Sequence, residues 1–341
     1  MLSTRFTTLV GCTIPMQQAG MSSASPPELA AAVSNAGAFG MVSAARAGGS
    51  DPASVAGLID RTRALTSRPF GVNFIVRSHD PASLDPVCFE VAAKSATAVE
   101  LFLWAEPDPK LFDAIHRDGA LVICQIGSVE TALAAERAGA DIIVAQGVEA
   151  GGHVRGTLGL LPLLSDMLDK VSVPVLGAGG VGSGRAMAAV LAAGADGVRV
   201  GTRFAATVEA QLHPIYQQAL VAARAEDTVY TEAFSVGWPN APHRVLRSSV
   251  EAAQRYHAGE IIGERLSLDG TRIPVRAFGV GVADRETTGA VHAMPLWAGE
   301  SVGGVADVQP AAEIVRELSE QAEQLLRASP VYTANVDSPS D

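Results

Sequence analysis

The stretch VETALAAERAGADIIVAQ, residues 129–146, contains one complete unit of a pattern that repeats along this chain. An alanine-rich run with helical spacing ends at Gly139, and an apolar, β-branched run from Ile142 to Ala145 follows almost at once. Glycine suits the left-handed position that closes a helix, whereas a continuous apolar run suits a strand that is buried on both faces. The stretch therefore predicts a helix, a glycine and a buried strand in succession.

The same unit recurs around Gly37, Gly119 and Gly194, and the rest of the chain up to Val200 can be interpreted on the same template. The candidate strands are residues 15–18, 38–42, 71–74, 98–102, 120–125, 141–145, 173–178 and 197–200. Eight strands alternating with helices are the number that closes a barrel. We therefore predict an α/β fold, a (β/α)8 TIM barrel. An open doubly wound sheet stays an alternative, because periodicity does not show closure.

The pattern changes after Phe204. Residues 212–224 have helical spacing, residues 228–290 mix short strands with prolines, and residues 310–327 form an amphipathic pattern that can return to the barrel. We therefore predict a barrel of residues 1–210 plus 291–328, an inserted α+β lid segment of residues 211–290 after the eighth strand, and a frayed tail of residues 329–341.

The composition excludes several classes of protein. The 341 residues are 48% hydrophobic and carry a net charge of −11 without a Lys/Arg cluster, so nucleic acid and anionic membranes are improbable partners. Cys12, Cys88 and Cys124 are too widely spaced for a disulfide framework or a zinc site. We find neither a signal peptide nor an apolar stretch of membrane-spanning length, and expect a cytoplasmic protein. The oligomeric state stays open, with a homodimer as one alternative.

The segment GVEAGGHVRG, residues 147–156, follows the sixth candidate strand. Gly151 and Gly152 would let the backbone approach a flat or bulky group, and His153 next to them can move protons near neutral pH. An isolated loop histidine is often only hydrogen-bonded to backbone. We favour a catalytic role for His153 because of its place at a strand end, a context that the other histidines, His243 among them, lack.

Active sites of barrels of this kind lie at the carboxyl ends of the strands. The loops after the seventh and eighth candidate strands carry Gly179-Gly180 and Gly201-Thr202, and such loops offer free backbone N–H groups to a phosphate. Asn73 and Gln125 also lie at strand ends. Their amides either satisfy loop backbone or face a heterocycle, and spacing alone does not separate these interpretations.

Two other motifs are disfavoured by their position. GAGGVG, residues 177–182, has the G-x-G-x-x-G spacing of dinucleotide-binding folds, but it falls in the seventh unit instead of the first. GESVG, residues 299–303, matches the nucleophile elbow of α/β-hydrolases. That family places its histidine after the serine, whereas the last histidine here is His292. Ser301 is therefore interpreted as a loop serine.

Taken together, these motifs resemble the nitronate monooxygenase family, and the resemblance extends over nearly the whole chain. The segments that carry it are QAGM (18–21), ELAAAVSNAG (28–37), FGVN (70–73), AQGVEAGGH (145–153), GAGG (177–180) and GTRF (201–204).

The resemblance implies an FMN-dependent, metal-free barrel enzyme that oxidises alkyl nitronates with O₂ to a carbonyl compound and nitrite. By this resemblance the FMN phosphate lies on Gly179, Gly180, Gly201 and Thr202. The residues that the resemblance places along the flavin ring are Met21, Ser22, Asn73, Gln125, Gly151 and Gly152, and Gly20 is also assigned to the cofactor site. Relatives often carry a lysine where this chain has Gln125, and a neutral amide would stabilise a reduced, anionic flavin less than a cation does.

The role of His153 in this scheme is either general base toward a neutral nitroalkane or hydrogen-bond partner of a nitronate. The alternative function is an FMN-dependent NAD(P)H reductase, similar to enoyl-ACP reductases or quinone reductases, since these share the glycine loops. A flavin-free binding module is a third class. We expect apolar lining of the substrate pocket from Phe234, Trp238 and Trp297.

Overall fold

The computed structural model describes residues 2–44, 51–77, 85–267 and 270–328. In chain order the strands are β1 (Met16–Gln18), β2 (Gly40–Ser43), β3 (Phe70–Arg77), β4 (Ala98–Trp104), β5 (Leu121–Ile126), β6 (Ile142–Gln146), β7 (Gly152–His153), β8 (Val175–Ala178), β9 (Gly197–Val200), β10 (Thr228–Thr231), β11 (His243–Leu246), β12 (Ile261–Leu266), β13 (Arg272–Arg276) and β14 (Thr288–Gly289). The main sheet has eight parallel strands in the order β1-β9-β8-β6-β5-β4-β3-β2. Each of its strands overlaps one of the eight candidates from the sequence.

The main sheet closes on itself between its two end strands. The backbone N–H of Phe39, just before β2, donates to the carbonyl of Met16 at 2.8 Å, and the N–H of Gln18 in β1 donates to the carbonyl of Phe39 at 3.0 Å. These bonds join the first and last strands. The prediction of a (β/α)8 TIM barrel is therefore confirmed, and the open-sheet alternative is wrong.

Twelve α-helices lie in the described residues. They are α1 (Arg5–Val10), α2 (Pro27–Asn35), α3 (Pro52–Leu65), α4 (Pro86–Ala93), α5 (Pro109–Arg117), α6 (Val129–Ala138), α7 (Leu160–Leu168), α8 (Gly184–Ala192), α9 (Thr202–Ala205), α10 (Pro214–Ala222), α11 (Arg247–Ala253) and α12 (Ala311–Ala328). Those from α2 to α8 connect successive barrel strands. Several begin where a short polar side chain caps the first turn, as Asp51, Asp108 and Ser128 do. Gly139 closes α6 with φ of 107°, in the left-handed conformation that the sequence pattern required.

The amino-terminal helix α1 was not predicted from the sequence. Its Phe6 and Val10 are buried in the barrel interior, where the Phe6 ring meets the Phe39 ring edge-on with centroids 6.0 Å apart. Arg5 on the same helix forms an ion pair with Asp196 at 2.7 Å, next to the start of β9. Helix α1 therefore covers the amino-terminal end of the barrel and leaves the carboxyl ends of the strands as the side on which a site can form.

Two small antiparallel sheets lie outside the barrel. One has the order β10-β11-β7 and the other β13-β12-β14. Strand β7 comes from the loop after β6, and its His153 pairs with His243 of β11. A barrel loop is thus hydrogen-bonded into a sheet whose other strands belong to the lid segment of residues 211–290, a connection that the sequence did not indicate. The boundaries of that segment stay a prediction, and the tail 329–341 lies outside the described residues.

Within the described ranges, no helix has both the length and the apolar character needed to cross a membrane.

Candidate active site

One cavity opens at the carboxyl ends of the barrel strands, and every residue for which the sequence suggested a binding or catalytic role lines it. These residues are Gly20, Met21, Ser22, Asn73, Gln125, Gly151, Gly152, His153, Gly179, Gly180, Gly201 and Thr202. Ser301 lines the same cavity, in a short 3-10 turn over Glu300–Gly304. The structure therefore brings the predicted set together, while the role of each residue stays a prediction.

Glycines expose bare backbone on several sides of this cavity. Gly179 and Gly180 after β8 have φ of 112° and 69°, values that other residues rarely adopt. A Cβ on Gly179 would lie 3.1 Å from the backbone nitrogen of Ala150, so the two loops approach closely at this point. By contrast, a Cβ on Gly152 would meet nothing within 4 Å. The closely packed loop at Gly179 and Gly180 suits a site for a phosphate. The open space beside Gly152 suits a flat ring.

The hydroxyl of Thr202 has a structural partner. It accepts a hydrogen bond at 3.0 Å from the backbone N–H of Gly299, which belongs to the segment that returns from the lid to the barrel. A Cβ on Gly299 would lie 2.7 Å from the carbonyl oxygen of Glu149, so this returning segment also packs closely against the loop that carries His153. Thr202 therefore joins the predicted phosphate loop to the opposite wall of the cavity.

A layer of buried polar side chains lies inside the barrel, which we call the polar layer (Gln17, Asn73, Glu100 and Arg199). Glu100 on β4 is fully buried. Its carboxylate accepts hydrogen bonds at 2.7 Å from Asn73 and from Gln17, and pairs with Arg199 at 2.8 Å. A buried carboxylate is very costly unless it is neutralised and hydrogen-bonded. The three partners supply that neutralisation at the base of the cavity.

The polar layer gives Asn73 a different environment from either one considered in the sequence analysis. Its amide nitrogen donates to Glu100, and its amide oxygen accepts from the hydroxyl of Ser43 at 3.1 Å. The sequence analysis missed Glu100 and Arg199 altogether. A usable signal was present, because each interrupts an apolar strand, in AVELF at 98–102 and GVRV at 197–200, and a charge in such a place needs a buried partner.

The imidazole of His153 is enclosed by all three tryptophans of the chain. It stacks on Trp238 with ring centroids 4.1 Å apart, and lies 5.1 Å from Trp297 and 6.1 Å from Trp104. Its Nε2 is buried without a hydrogen-bond partner among the described residues. Burial, together with the positive charges of His243 when protonated and of Arg77, lowers the pKa of His153 to about 3. The ring is therefore neutral at physiological pH.

His243 is the other imidazole at this place, and its position follows from the pairing of β7 with β11. The rings of His153 and His243 lie 5.5 Å apart. The Nε2 of His243 accepts from the backbone N–H of Phe234 at 3.2 Å, so Nδ1, 2.8 Å from the carbonyl of Ala241, carries the proton. Burial lowers the pKa of His243 as well. No local pattern singles out His243, because a long-range strand pairing brings it to this place.

The expected apolar lining is present in part. Trp238 and Trp297 line the cavity, whereas Phe234 is fully buried behind them, with its ring 6.1 Å from that of Trp297. The expectation that Phe234 contacts the contents of the cavity is therefore wrong. Phe234 instead packs beside the rings of Trp297 and His243.

Two arginines contribute charge on the outer side of the cavity. Arg77, at the end of β3, lies with its guanidinium carbon 5.0 Å from the ring centroid of Trp238 and donates to the carbonyl of Gly237 at 3.2 Å. Arg265 on β12 also lines the cavity. Burial lowers the pKa of Arg265, and the nearby Asp284 opposes that shift. Both side chains make the cavity favourable for an anion.

A buried arginine anchors the loop that carries His153. Arg244 on β11 donates through Nε to the carbonyl of Val148 at 2.9 Å and through Nη1 to the hydroxyl of Thr228 at 3.1 Å. It also pairs with Glu300 at 3.2 Å. Arg244 thus connects the loop after β6 with the lid sheet and with the segment that returns to the barrel.

The described residues hold no group of three or more His, Cys, Asp or Glu side chains placed to bind a metal ion. Cys12, Cys88 and Cys124 are free thiols. Burial raises the pKa of Cys12 to about 12 and that of Cys124 well above its usual value, so neither is reactive near neutral pH.

A closed eight-stranded barrel with glycine loops and an imidazole around one cavity at its carboxyl face defines a (β/α)8-barrel enzyme. The sequence model of the family described as nitronate monooxygenase matches residues 3–321. The chain therefore belongs to the nitronate monooxygenase family and is an oxidoreductase of that type.

Two solved structures and one curated relative are similar to this chain over most of its length. FabK from Thermotoga maritima is 30% identical, with a TM-score of 0.77 over 96% of this chain and 98% of its own. A nitroalkane oxidase from Streptomyces ansochromogenes is 29% identical, with a TM-score of 0.74 over 95% of this chain and 99% of its own. A (3aS,4S,5R,7aS)-5-hydroxy-7a-methyl-1-oxo-octahydro-1H-indene-4-carboxyl-CoA dehydrogenase from Rhodococcus jostii (strain RHA1) is 34% identical, covering 77% of this chain and 70% of its own length. Proteins similar to this chain are thus named for different reactions.

Proposed function

We propose that this protein is an FMN-dependent nitronate monooxygenase that oxidises alkyl nitronates with O₂ to a carbonyl compound and nitrite. The single observation that carries the proposal is the neutral imidazole of His153 beside the cavity, whose buried Nε2 has no hydrogen-bond partner in the part of the chain that the structure describes. A nitronate has already lost the proton on its α-carbon. The nitronate therefore needs a hydrogen-bond partner in the cavity, and no strong base is needed to remove a proton from it.

The residues around the cavity fit FMN. Arg199 Nη1 and Gln146 Oε1 are buried polar atoms that find no partner among residues 2–44, 51–77, 85–267 and 270–328. Both side chains line the cavity, as does the open backbone at Gly152. In the proposal, Gly179, Gly180, Gly201 and Thr202 hold the phosphate, as the resemblance implies. The residues assigned to the ring system are Gly20, Met21, Ser22, Asn73, Gln125, Gly151 and Gly152. Bound FMN would supply the redox chemistry that links oxidation of the substrate to reduction of O₂.

His153 is assigned the role of hydrogen-bond partner to the oxygens of the nitronate. A general base works best when its pKa lies near the working pH, and a pKa of about 3 is far below it. Abstraction of a proton from a neutral nitroalkane is therefore disfavoured. The three surrounding tryptophans keep water away from the ring, which strengthens any hydrogen bond that it makes to an anion.

The charge of the cavity supports an anionic substrate. Arg77 and Arg265 both line it, in a protein whose overall net charge is −11. A local positive field raises the concentration of an anion at the site. A nitronate carries such a charge, whereas the nitroalkane from which it derives is neutral.

The second candidate function is an FMN-dependent NAD(P)H reductase. It is favoured by the similarity to FabK and by the Rhodococcus relative, whose name describes a dehydrogenase of a CoA thioester. The glycine loops fit both functions, since each needs the same coenzyme phosphate.

Anaerobic mixing of the FMN-loaded protein with separate reductants tests the proposal. We expect the yellow absorbance to bleach within a turnover time with propyl-2-nitronate, slowly with 2-nitropropane, and to persist with NADH or NADPH. Rapid bleaching by either nicotinamide would favour the reductase and overturn the proposal. A purified protein that takes up no FMN on reconstitution would overturn both candidates.

A further inference from the structure

Arg199 does more in this structure than neutralise Glu100. Its Nη2 makes the ion pair with Glu100 at 2.8 Å, while its Nη1 is buried without a partner among the described residues. Only 5% of the Arg199 side chain is exposed, and the Nη1 atom itself is buried. Burying a donor of a charged group without an acceptor is unfavourable, which points to an acceptor that the protein chain itself does not provide.

The position of Arg199 indicates on which side of the guanidinium this acceptor would lie. Arg199 lines the active-site cavity, whereas Glu100 is fully buried below it. The Glu100 carboxylate is additionally held by Gln17 and Asn73 at 2.7 Å each. Within the polar layer, the negative charge is therefore on the inner side and the guanidinium is on the side of the cavity. An ion pair needed only for packing would not leave its cation facing the space where a ligand binds.

The other cations of the cavity have different positions. Among the described residues, Arg77 and Arg265 also line it, but Arg77 lies against Trp238 and Arg265 comes from the lid segment. Arg199 is on the barrel strand β9, two residues before Gly201 of the predicted phosphate loop. Gln125 on β5 lines the same cavity with a neutral amide.

We propose that Arg199 is the cation that contacts the ring system of the bound flavin and preferentially stabilises its two-electron-reduced, negatively charged form. Glu100, Gln17 and Asn73 act as positioning residues that hold the guanidinium in place. A permanent charge in a dry cavity interacts strongly with charge that develops nearby, and it needs no reorganisation during the reaction. This inference rests on the proposed use of FMN, but it does not depend on which substrate reduces the coenzyme.

The test uses a double variant, E100Q/R199Q, which removes both charges and leaves no buried ion alone. The affinity for oxidised FMN is measured by quenching of flavin fluorescence, and the midpoint potential by anaerobic titration against a reference dye. We expect oxidised FMN to bind within about threefold of the wild-type affinity. The ratio of the affinity for reduced FMN to the affinity for oxidised FMN should be about tenfold lower in the variant than in wild type. This change corresponds to a midpoint potential lower by about 30 mV.

A third substitution provides the rescue. Adding Q125K to the double variant places an ammonium group in the lining of the same cavity. We expect this group to raise the midpoint potential of the bound FMN again toward the wild-type value. An unchanged potential in the folded, FMN-loaded double variant overturns the assignment of Arg199. So does a lowered potential that Q125K leaves unaffected, because it would indicate a general change in the polar layer.

Thermal unfolding of the apoproteins shows whether the double variant folds. Should it not fold, R199K and R199Q are compared in its place. The proposal requires R199K to keep the potential close to wild type and R199Q to lower it, and equal potentials overturn it. If the wild-type protein binds FMN but does not oxidise nitronates, the proposed function fails while this measurement still decides the role of Arg199.

Discussion

The imidazole of His153 stacks on the indole of Trp238 with ring centroids 4.1 Å apart and ring planes inclined by 26°. His153 follows a barrel strand, whereas Trp238 belongs to the lid segment, so each part of the chain supplies one side of this contact. The stacking removes water from the imidazole and favours its neutral form. The electrostatic state of the site therefore depends on the lid staying packed on the barrel.

The first prediction concerns the pH dependence of stability. His153 has a pKa of about 3 in the folded protein and an ordinary value of 6.5 when unfolded. Between these values the unfolded chain binds more protons, so the free energy of unfolding decreases as the pH falls from 6.5 toward 3. The contribution is at most about 1.4 kcal/mol per pH unit. Urea unfolding at pH 7 and pH 4.5 should show a smaller decrease for H153F than for wild type. Equal decreases would contradict a lowered pKa of His153.

The second prediction concerns H153F as an enzyme. Phenylalanine keeps a ring against Trp238 but removes both nitrogens, and a hydrogen bond to a charged group contributes about 1.5–3 kcal/mol. We expect kcat/KM for a nitronate to fall roughly 10- to 100-fold, with the FMN content unchanged. Wild-type kcat/KM should show no ionisation near pH 6.5 that H153F removes. A bell-shaped profile with such a limb, lost in the variant, would restore the general-base interpretation.

The third prediction concerns the close approach of Gly20 to Asn73. A Cβ on Gly20 would lie 2.3 Å from Asn73 Cγ, so G20A has to displace the amide that donates to Glu100. We expect a loss of about 1–3 kcal/mol in stability and weaker binding of FMN, measured by urea unfolding and fluorescence titration.

The matched control for that substitution is G57A in α3. A Cβ on Gly57 meets nothing within 4 Å. Alanine in an exposed helix should increase stability by about 0.5–1 kcal/mol and leave FMN binding unchanged. If both alanine variants behaved alike, the contact between Gly20 and Asn73 would have no special importance.

The fourth prediction concerns the anchor of the His153 loop. R244M keeps most of the side-chain volume of Arg244 but loses its bonds to Val148 and Thr228. We expect a loss of about 1–3 kcal/mol in the free energy of unfolding, together with a higher KM for the nitronate.

R224M serves as the control, because the ion pair of Arg224 with Glu226 is largely exposed to solvent and such pairs contribute little. Unfolding and steady-state kinetics of the two variants decide the matter. A stable R244M protein with a wild-type KM would show that the loop keeps its position without this arginine.

The sequence predicted the barrel well because its signals are local. A glycine that ends a helix, followed by an apolar run, places a strand within one or two residues, as for Gly139 and β6. The convergence of the strand ends then follows from barrel geometry, which is why His153, Gly179 and Gly201 were brought to one cavity without knowledge of any contact.

What the sequence did not predict depends on pairs of residues far apart in the chain. Glu100 and Arg199 become a functional pair only because β4 and β9 face each other across the barrel interior. His243 approaches His153 only through the pairing of β11 with β7. Neither partner has a local pattern that indicates the other. The lowered pKa of His153 likewise reflects burial by three tryptophans, none of them its neighbour in sequence.

Strand β7, which carries His153, is the edge strand of the sheet β10-β11-β7. A swinging motion of that sheet away from the barrel would either break the backbone bonds of β7 or take the imidazole with it. We therefore expect substrate entry and product departure to proceed by diffusion through the opening of the cavity, without a hinged movement of this sheet. On that basis, we expect the turnover rate to change more with the size of the side chains at the opening of the cavity than with the stiffness of the loops that connect the sheet β10-β11-β7.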